Sequence, residues 1–248
     1  MTTLTILTGT TRGLGAAMAE ELATGGEHLV TLSRQSSPSL AALSSKHGTT
    51  LTQIEVDLAQ SAAVKNAVSV LLPLLKHHTH IRFIHNAGVV KPIAQAQNLT
   101  DLDAINDAFH VNITSAIFLT AQILHNTTHA LDRRVMLISS GAGRSASSGW
   151  AVYCSTKAAM DRFAEAAQLD QGTKARVVSM APGIIDTPMQ ETIRATSKDD
   201  LPTLERYIGF KESKQLAAPL AVAQRLLIVL ESEAFGSKTI DDIRQHNV

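Results

Sequence analysis

A short β-rich run, Leu4-Thr5-Ile6-Leu7, ends in Gly9-Thr10-Thr11-Arg12-Gly13-Leu14-Gly15, and the residues from Ala16 to Leu22 are strong helix formers. Strand, glycine turn and helix in that order leave few architectures open. Glycines at such a junction lack Cβ atoms, so the backbone can approach a pyrophosphate, and the helix start offers free amides and the positive end of its dipole. The spacing is G-x-x-x-G-x-G rather than G-x-G-x-x-G, so an ordinary glycine-rich turn stays open at this point.

The alternation continues. His28 to Leu32 reads as a second strand that closes a βαβ unit, followed by the polar cluster Arg34 to Ser39 with Pro38. Leu40 to His47 reads as a short helix and Leu51 to Val56 as a strand ending at Asp57. Ala62 to Lys76 places Val64, Ala67, Val68, Leu71, Leu72 and Leu75 at helical spacing. Ile81 to Ile84 is a fourth strand running into Asn86-Ala87-Gly88, and one long helical region is expected from Leu102 to Leu131. Val135 to Ile138 is a fifth strand before the small-residue loop Ser139 to Gly149. A helix follows from Trp150 to Gln171, and Arg176 to Met180 is a sixth strand stopping at Pro182-Gly183.

These apolar runs are continuous, as in parallel strands covered by helices on both faces. The expected fold is α/β, a single doubly wound (Rossmann-type) parallel sheet. Beyond Pro188 the chain is polar and helical through Lys214, and residues 189–215 read as a mobile lid over the crevice at the strand ends. Ala221 to Leu230 reads as a helix, with a last strand near Thr239 to Ile243. No repeat or linker divides the chain, so one domain over 1–248 is expected.

With 248 residues, 44% of them hydrophobic, the chain can bury one substantial core. Lys plus Arg equals Asp plus Glu at 22 each, which leaves no basic surplus for nucleic acid and points to a small-molecule partner. The single cysteine, Cys154, excludes an internal disulfide and suits a reducing compartment. No stretch approaches the roughly 18 apolar residues that span a bilayer, and no charged leader precedes an apolar run, so a soluble, cytoplasmic protein without membrane contact is expected. His77-His78-x-His80 lacks any supporting Cys or carboxylate pair, and no metal site is expected there.

Tyr153-Cys154-Ser155-Thr156-Lys157 carries the chemistry. Four residues of helix stack Tyr153 and Lys157 on one face. A phenol with a reference pKa of about 10 exchanges protons poorly near neutrality unless a cation favours its phenolate, and Lys157 could be that cation. Cys154 points about 100° away around the helix and reads as a packing residue.

Taken together and in this order, the Gly9 to Gly15 spacing, Asn86-Ala87-Gly88, Asn112, Ser139-Ser140 and Tyr153 to Lys157 resemble the short-chain dehydrogenase/reductase family. The resemblance runs from Gly9 to at least Thr187. Met189-Gln190-Glu191-Thr192-Ile193-Arg194 and Leu204-Glu205-Arg206 are similar to the sepiapterin reductase and benzil reductase branch. The resemblance implies that Tyr153 protonates a carbonyl oxygen as hydride arrives and that Lys157 favours the phenolate while bonding the nicotinamide ribose. It implies that Ser140, favoured over Ser139 by its spacing to Tyr153, polarises the carbonyl, and that Asn112 links Lys157 to solvent. A buried helix Asn satisfied by backbone is the plainer reading of Asn112.

Cofactor choice is read where the second strand ends, at Thr31-Leu32-Ser33-Arg34. A carboxylate there would bind ribose hydroxyls, whereas Arg34, joined by Arg12, accommodates a 2′-phosphate, so NADP(H) is expected. The resemblance further implies that Asp57 and Leu58 flank the adenine and that Asn86, Ala87 and Gly88 pass beneath its ribose. Pro182-Gly183, Ile185 and Thr187 would meet the carboxamide and phosphate. Trp150, Met189 and Tyr207 are candidates for an apolar substrate pocket, and the resemblance to sepiapterin reductases implies Asp241 or Asp242 as a substrate anchor. The expectation is an NADPH-dependent carbonyl reductase acting on a ketone or α-diketone, and the family resemblance implies a dimer (or tetramer) built through its two long helical regions. A dinucleotide-binding regulator without turnover and an alcohol dehydrogenase working oxidatively are the alternatives.

Overall fold

The computed structural model describes residues 2–248. Seven strands, β1 (Thr3–Thr8), β2 (His28–Ser33), β3 (Thr50–Glu55), β4 (His80–His85), β5 (Asp132–Ile138), β6 (Arg176–Ala181) and β7 (Ile240–Asp242), form one sheet. Every pairing is parallel and the order is β3-β2-β1-β4-β5-β6-β7. The helices are α1 (Gly13–Ala23), α2 (Pro38–His47), α3 (Ser61–Leu75), α4 (Leu102–Phe109), α5 (Ser115–Asn126), α6 (Ala151–Gln171), α7 (Pro188–Arg194), α8 (Leu204–Glu212) and α9 (Pro219–Glu231).

The continuous apolar runs are explained by two cores, one on each face of the sheet. Leu4, Ile6, Phe83, Val135 and Leu137 meet α3, α5 and α6. Their neighbours Leu7, Ile84, Met136 and Ile138 meet α1, α2 and α9. Side chains alternate across a strand, so a strand covered on both sides is apolar at most positions rather than at every second one. At the amino ends of β4, β5 and β6, Asp132 gathers Arg82, Arg134 and Arg176 at 2.9, 2.8 and 3.2 Å. Among the described residues no helix is long and apolar enough to cross a membrane.

One element differs from expectation. The helix expected from Leu102 to Leu131 is two helices joined by a π-helical turn at His110–Thr114, and it stops at Asn126. Asn112 in that turn takes the backbone N–H of Val89 on its Oδ1 at 2.7 Å and donates to the Val89 carbonyl at 2.8 Å. The wider turn carries the residue that reaches sideways to another chain segment, as π-bulges do. Beyond α5 the Thr127 hydroxyl bonds the Ile123 carbonyl at 2.7 Å, taking up one of the helix's last acceptors.

The sheet order reverses between β1 and β4, and the loops leaving their carboxyl ends diverge there to open a crevice. Helices α7 and α8 lie over one side of it. Ile193, Leu201, Leu204 and Tyr207 from this segment pack with Val90, Trp150 and Tyr153 into a third apolar cluster.

Candidate active site

The glycine loop from Gly9 to Gly15 is built by close backbone approach. Gly9, at φ +73°, could not carry a side chain, because its Cβ would come within 2.8 Å of Ala87 Cα. A Cβ on Gly15 would collide with the Gly9 carbonyl oxygen and the Asn86 side-chain amide. That amide donates to the Thr8 and Gly9 carbonyls, both at 3.1 Å, which ties the loop after β4 to the loop after β1. No side chain caps the start of α1, so its first-turn amides are left for an anionic ligand.

At the end of β2, Ser33 Oγ accepts from Thr10 N at 2.8 Å and so holds the two loops together. Arg12 and Arg34 border the same cleft, and neither makes an ion pair among the described residues. Free amides, unpaired guanidiniums and glycines that admit a ligand's phosphates form a donor set that fits a dinucleotide.

The cleft encloses about 310 Å³ and continues to Ser140, Tyr153 and Lys157. Tyr153 is 7% exposed, on the first turn of α6. Burial pushes its phenol up to about 12, against the opposing pull of a hydrogen bond with Ser140. Lys157 Nζ donates to the Ile138 carbonyl at 2.8 Å and lies 5.7 Å from the centre of the Tyr153 ring. Burial lowers its ammonium to about 8, opposed by the Asp161 carboxylate. Desolvation of Tyr153 outweighs the pull of Ser140, and the phenol stays protonated at neutral pH.

Ser139 and Ser140 face different surroundings. Ser139 is buried and donates to Asp161 Oδ1 at 2.6 Å, whereas the Ser140 hydroxyl meets Tyr153. Asn112 is fully buried and does not line the cleft; besides Val89 it donates to Thr156 Oγ1 at 3.0 Å. It nevertheless stands close to Lys157. A methyl group on Gly88 would lie 3.4 Å from Asn112 Oδ1 and 3.7 Å from Lys157 Nζ.

The other candidate cofactor and substrate residues line the same cleft, except Tyr207, Asp241 and Asp242. Tyr207 stacks behind the wall, with ring centres 5.1 Å from Trp150, and Trp150 in turn stands edge-on to Tyr153 at 5.4 Å. Asp241 is turned away. Its carboxylate meets His246 Nε2 at 2.8 Å and the Asp242 amide at 2.8 Å, and Asp242 pairs with Arg244. Neither Asp241 nor Asp242 lines the cleft, and both carboxylates are taken up by residues of the C-terminal turn, His246 and Arg244. Among the described residues no cluster of three potential metal ligands exists.

Residues 3–198 match the family model of the short chain dehydrogenases. The chain belongs to that family. Among short-chain dehydrogenases it is 31% identical over 236 residues to the benzil reductase ((S)-benzoin forming) of Bacillus cereus, covering 93% of this chain and 94% of the relative. It is 30% identical over 248 residues to the sepiapterin reductase of Bos taurus, with 95% and 92% covered. The crystal structure of the KRED1-Pglu enzyme superposes with a TM-score of 0.83 at 25% identity, covering 96% of this chain and 99% of that one. The short-chain dehydrogenase assignment makes the chain an oxidoreductase acting on carbonyl or hydroxyl groups with a nicotinamide dinucleotide.

Three polar residues of this dehydrogenase site escaped sequence reasoning. Thr8 Oγ1 accepts from the Asn86 and Ala87 amides, both at 3.0 Å, so its own proton points at His85 Nδ1, 3.4 Å away. His85 Nε2 then donates to the Val111 carbonyl at 3.2 Å, beside Asn112. Burial drives His85 down to about 3, helped by the nearby Lys157 charge, so the ring is neutral. The third is Asp161, one turn beyond Lys157 on the buried face of α6. Its spacing was a visible signal, a carboxylate four residues beyond Lys157 and beside Met160 and Ala164 on the buried stripe of the helix.

Proposed function

We propose that the chain is an NADPH-dependent carbonyl reductase that reduces a ketone or α-diketone to a hydroxy compound. The observation that carries this reading is the convergence of Tyr153, Ser140 and Lys157 at the end of the cleft that begins at the Gly9 to Gly15 loop. Gly9, Gly13 and Gly15 with the α1 amides would hold the pyrophosphate, and Lys157 the nicotinamide ribose. The dihydronicotinamide, when bound, supplies the hydride. Ser140 positions the carbonyl oxygen by hydrogen bonding. Tyr153, protonated because it is buried, gives its hydroxyl proton to that oxygen, and the Lys157 ammonium beside it offsets the charge left on the phenol oxygen.

NADPH is favoured over NADH by the two unpaired guanidiniums of Arg12 and Arg34 where β2 ends without a carboxylate. The substrate side is walled by Trp150, Met189 and Ile193. With Asp241 and Asp242 turned away, an apolar aryl ketone or diketone suits this wall better than a pterin does, in line with the benzil reductase relative. Following NADPH absorbance with benzil, sepiapterin and simple aldehydes tests the reading. Tight NADPH binding with no consumption on any carbonyl would overturn it.

The chain is further proposed to associate as a homodimer through α4, α5 and α6, where Leu102, Phe109, Ile117 and Leu169 are exposed. Light scattering on purified protein decides this; a monomer at micromolar concentration would refute it.

A further inference from the structure

Behind the catalytic side chains lies a buried carboxylate that no step above uses. Asp161 is 8% exposed and sits one helical turn beyond Lys157, on the face of α6 that carries Tyr153. Its Oδ1 accepts from Ser139 Oγ at 2.6 Å, at the end of β5, and from Ser179 Oγ at 2.5 Å, on β6. Its Oδ2 accepts from Arg144 Nε at 3.2 Å, and Arg144 continues to the Asp241 carbonyl at 2.8 Å. Between Ser139 and Arg144 lie Ser140 and the tight turn Gly141–Gly143. Gly143 rests directly on α6: a Cβ there would come 2.8 Å from the Lys157 carbonyl and 3.0 Å from Asp161 Oδ2.

Ser140 is thus bracketed. The residue before it and the turn after it are both fastened to Asp161, while its hydroxyl accepts from the Ala142 amide at 3.2 Å and meets Tyr153. The proton donor and the carbonyl-positioning hydroxyl come from different segments, α6 and the β5 loop. Asp161 is the side chain that joins them.

We propose that Asp161 is a positioning residue for the reduction, clamping the Ser140 turn onto α6 at the depth Tyr153 requires and placing a negative charge behind the Lys157 ammonium. The groups facing this pair are Arg144 from the loop, Ser139 from β5, Ser179 from β6, and the neutral His85 from β4 beside Lys157. Removing the charge of Asp161 should let burial lower Lys157 further, while cutting a single tie should loosen Ser140 without touching that charge.

The proposal rests on the carbonyl reductase reading for its kinetic arm only, and the experiment separates the two. Asp161→Asn and Ser139→Ala are compared with wild type in benzil reduction, in NADPH affinity by fluorescence, and in the Lys157 titration followed by NMR of isotope-labelled lysine in cofactor-free enzyme. Asp161→Asn should cut kcat about tenfold or more while KM and the NADPH dissociation constant change less than about threefold. Its Lys157 midpoint should fall by roughly one pH unit. Ser139→Ala should lower kcat and leave the midpoint in place.

An unmoved midpoint in Asp161→Asn overturns the proposal. So does a loss spread equally over kcat, KM, NADPH affinity and melting temperature, which marks a merely structural residue. If Asp161→Asn does not fold, Ser139→Ala and Arg144→Ala decide, and unchanged kcat in both refutes the clamp. A wild-type enzyme that consumes no NADPH refutes the reductase reading, and the lysine titration still judges Asp161.

Discussion

Lys157 Nζ stands 5.7 Å from the centre of the Tyr153 ring and is held there by the Ile138 carbonyl at 2.8 Å, not by the phenol. Lys157, carried by α6 with Tyr153, is thereby tied to the end of β5, the strand that runs into Ser139 and Ser140, so this one bond links the helix to the loop. A protein-fixed charge of this kind costs no reorganisation when charge develops in the reaction.

Tyr153→Phe should lower kcat by roughly 10²- to 10⁴-fold, the span of a lost general acid, and leave NADPH affinity within about twofold. Phenylalanine keeps the edge contact with Trp150 at 5.4 Å, so the wall survives. Steady-state kinetics and fluorescence titration read the two effects; equal loss in both would make Tyr153 structural.

Reductive turnover should decline as pH rises through about 8. Tyr153, pushed up to about 12, remains protonated throughout, whereas Lys157, lowered to about 8 by burial, loses its charge there. A kcat profile from pH 6 to 10 checks the position of the limb, and a flat profile past pH 9 would remove Lys157 from the reduction.

Arg34→Ala and Arg12→Ala should each weaken NADPH by about tenfold or more, the scale of a hydrogen bond to a charged group, and barely change NADH. Both guanidiniums lack ion-pair partners among the described residues, so truncation leaves no buried charge behind. Dissociation constants for the two cofactors decide; equal effects would move the phosphate elsewhere.

His85 should make the fold acid-sensitive. Its pKa is about 3 when folded against an ordinary 6.5, so between these values the unfolded chain binds a proton that the folded chain refuses. Stability then rises with pH across that window, by at most about 1.4 kcal/mol per pH unit, and gains nothing further from His85 above it. Urea midpoints from pH 4 to 7 should climb more steeply in wild type than in His85→Gln, and parallel curves would count against this assignment.

How much of this was legible beforehand depends on the distance over which each feature is encoded. The strands and the glycine loop could be read because a run such as Val135 to Ile138 is buried on both faces and therefore apolar at each step. Tyr153 and Lys157 could be paired because helical spacing is local. The break at His110–Thr114 could not, since its cause is the Val89 backbone, supplied by a loop earlier in the chain. That Tyr207 packs on Trp150 outside the cleft lining could not be read, because the two rings are 57 residues apart and meet only in the folded chain.

The alternation of apolar runs and helix formers, together with small residues at fixed places, was enough to specify a doubly wound sheet with a glycine loop at its crevice. Those properties follow from backbone geometry and burial within a few residues. The electrostatic character of the site required the folded chain. Thr8 and His85 are 77 positions apart in contact, Ser139 and Asp161 are 22 apart, and Asp241 closes on His246 rather than on the cleft. Whether a buried polar group ends up charged, neutral, bonded or orphaned is set by partners that meet only when the strands assemble, and desolvation then fixes its protonation.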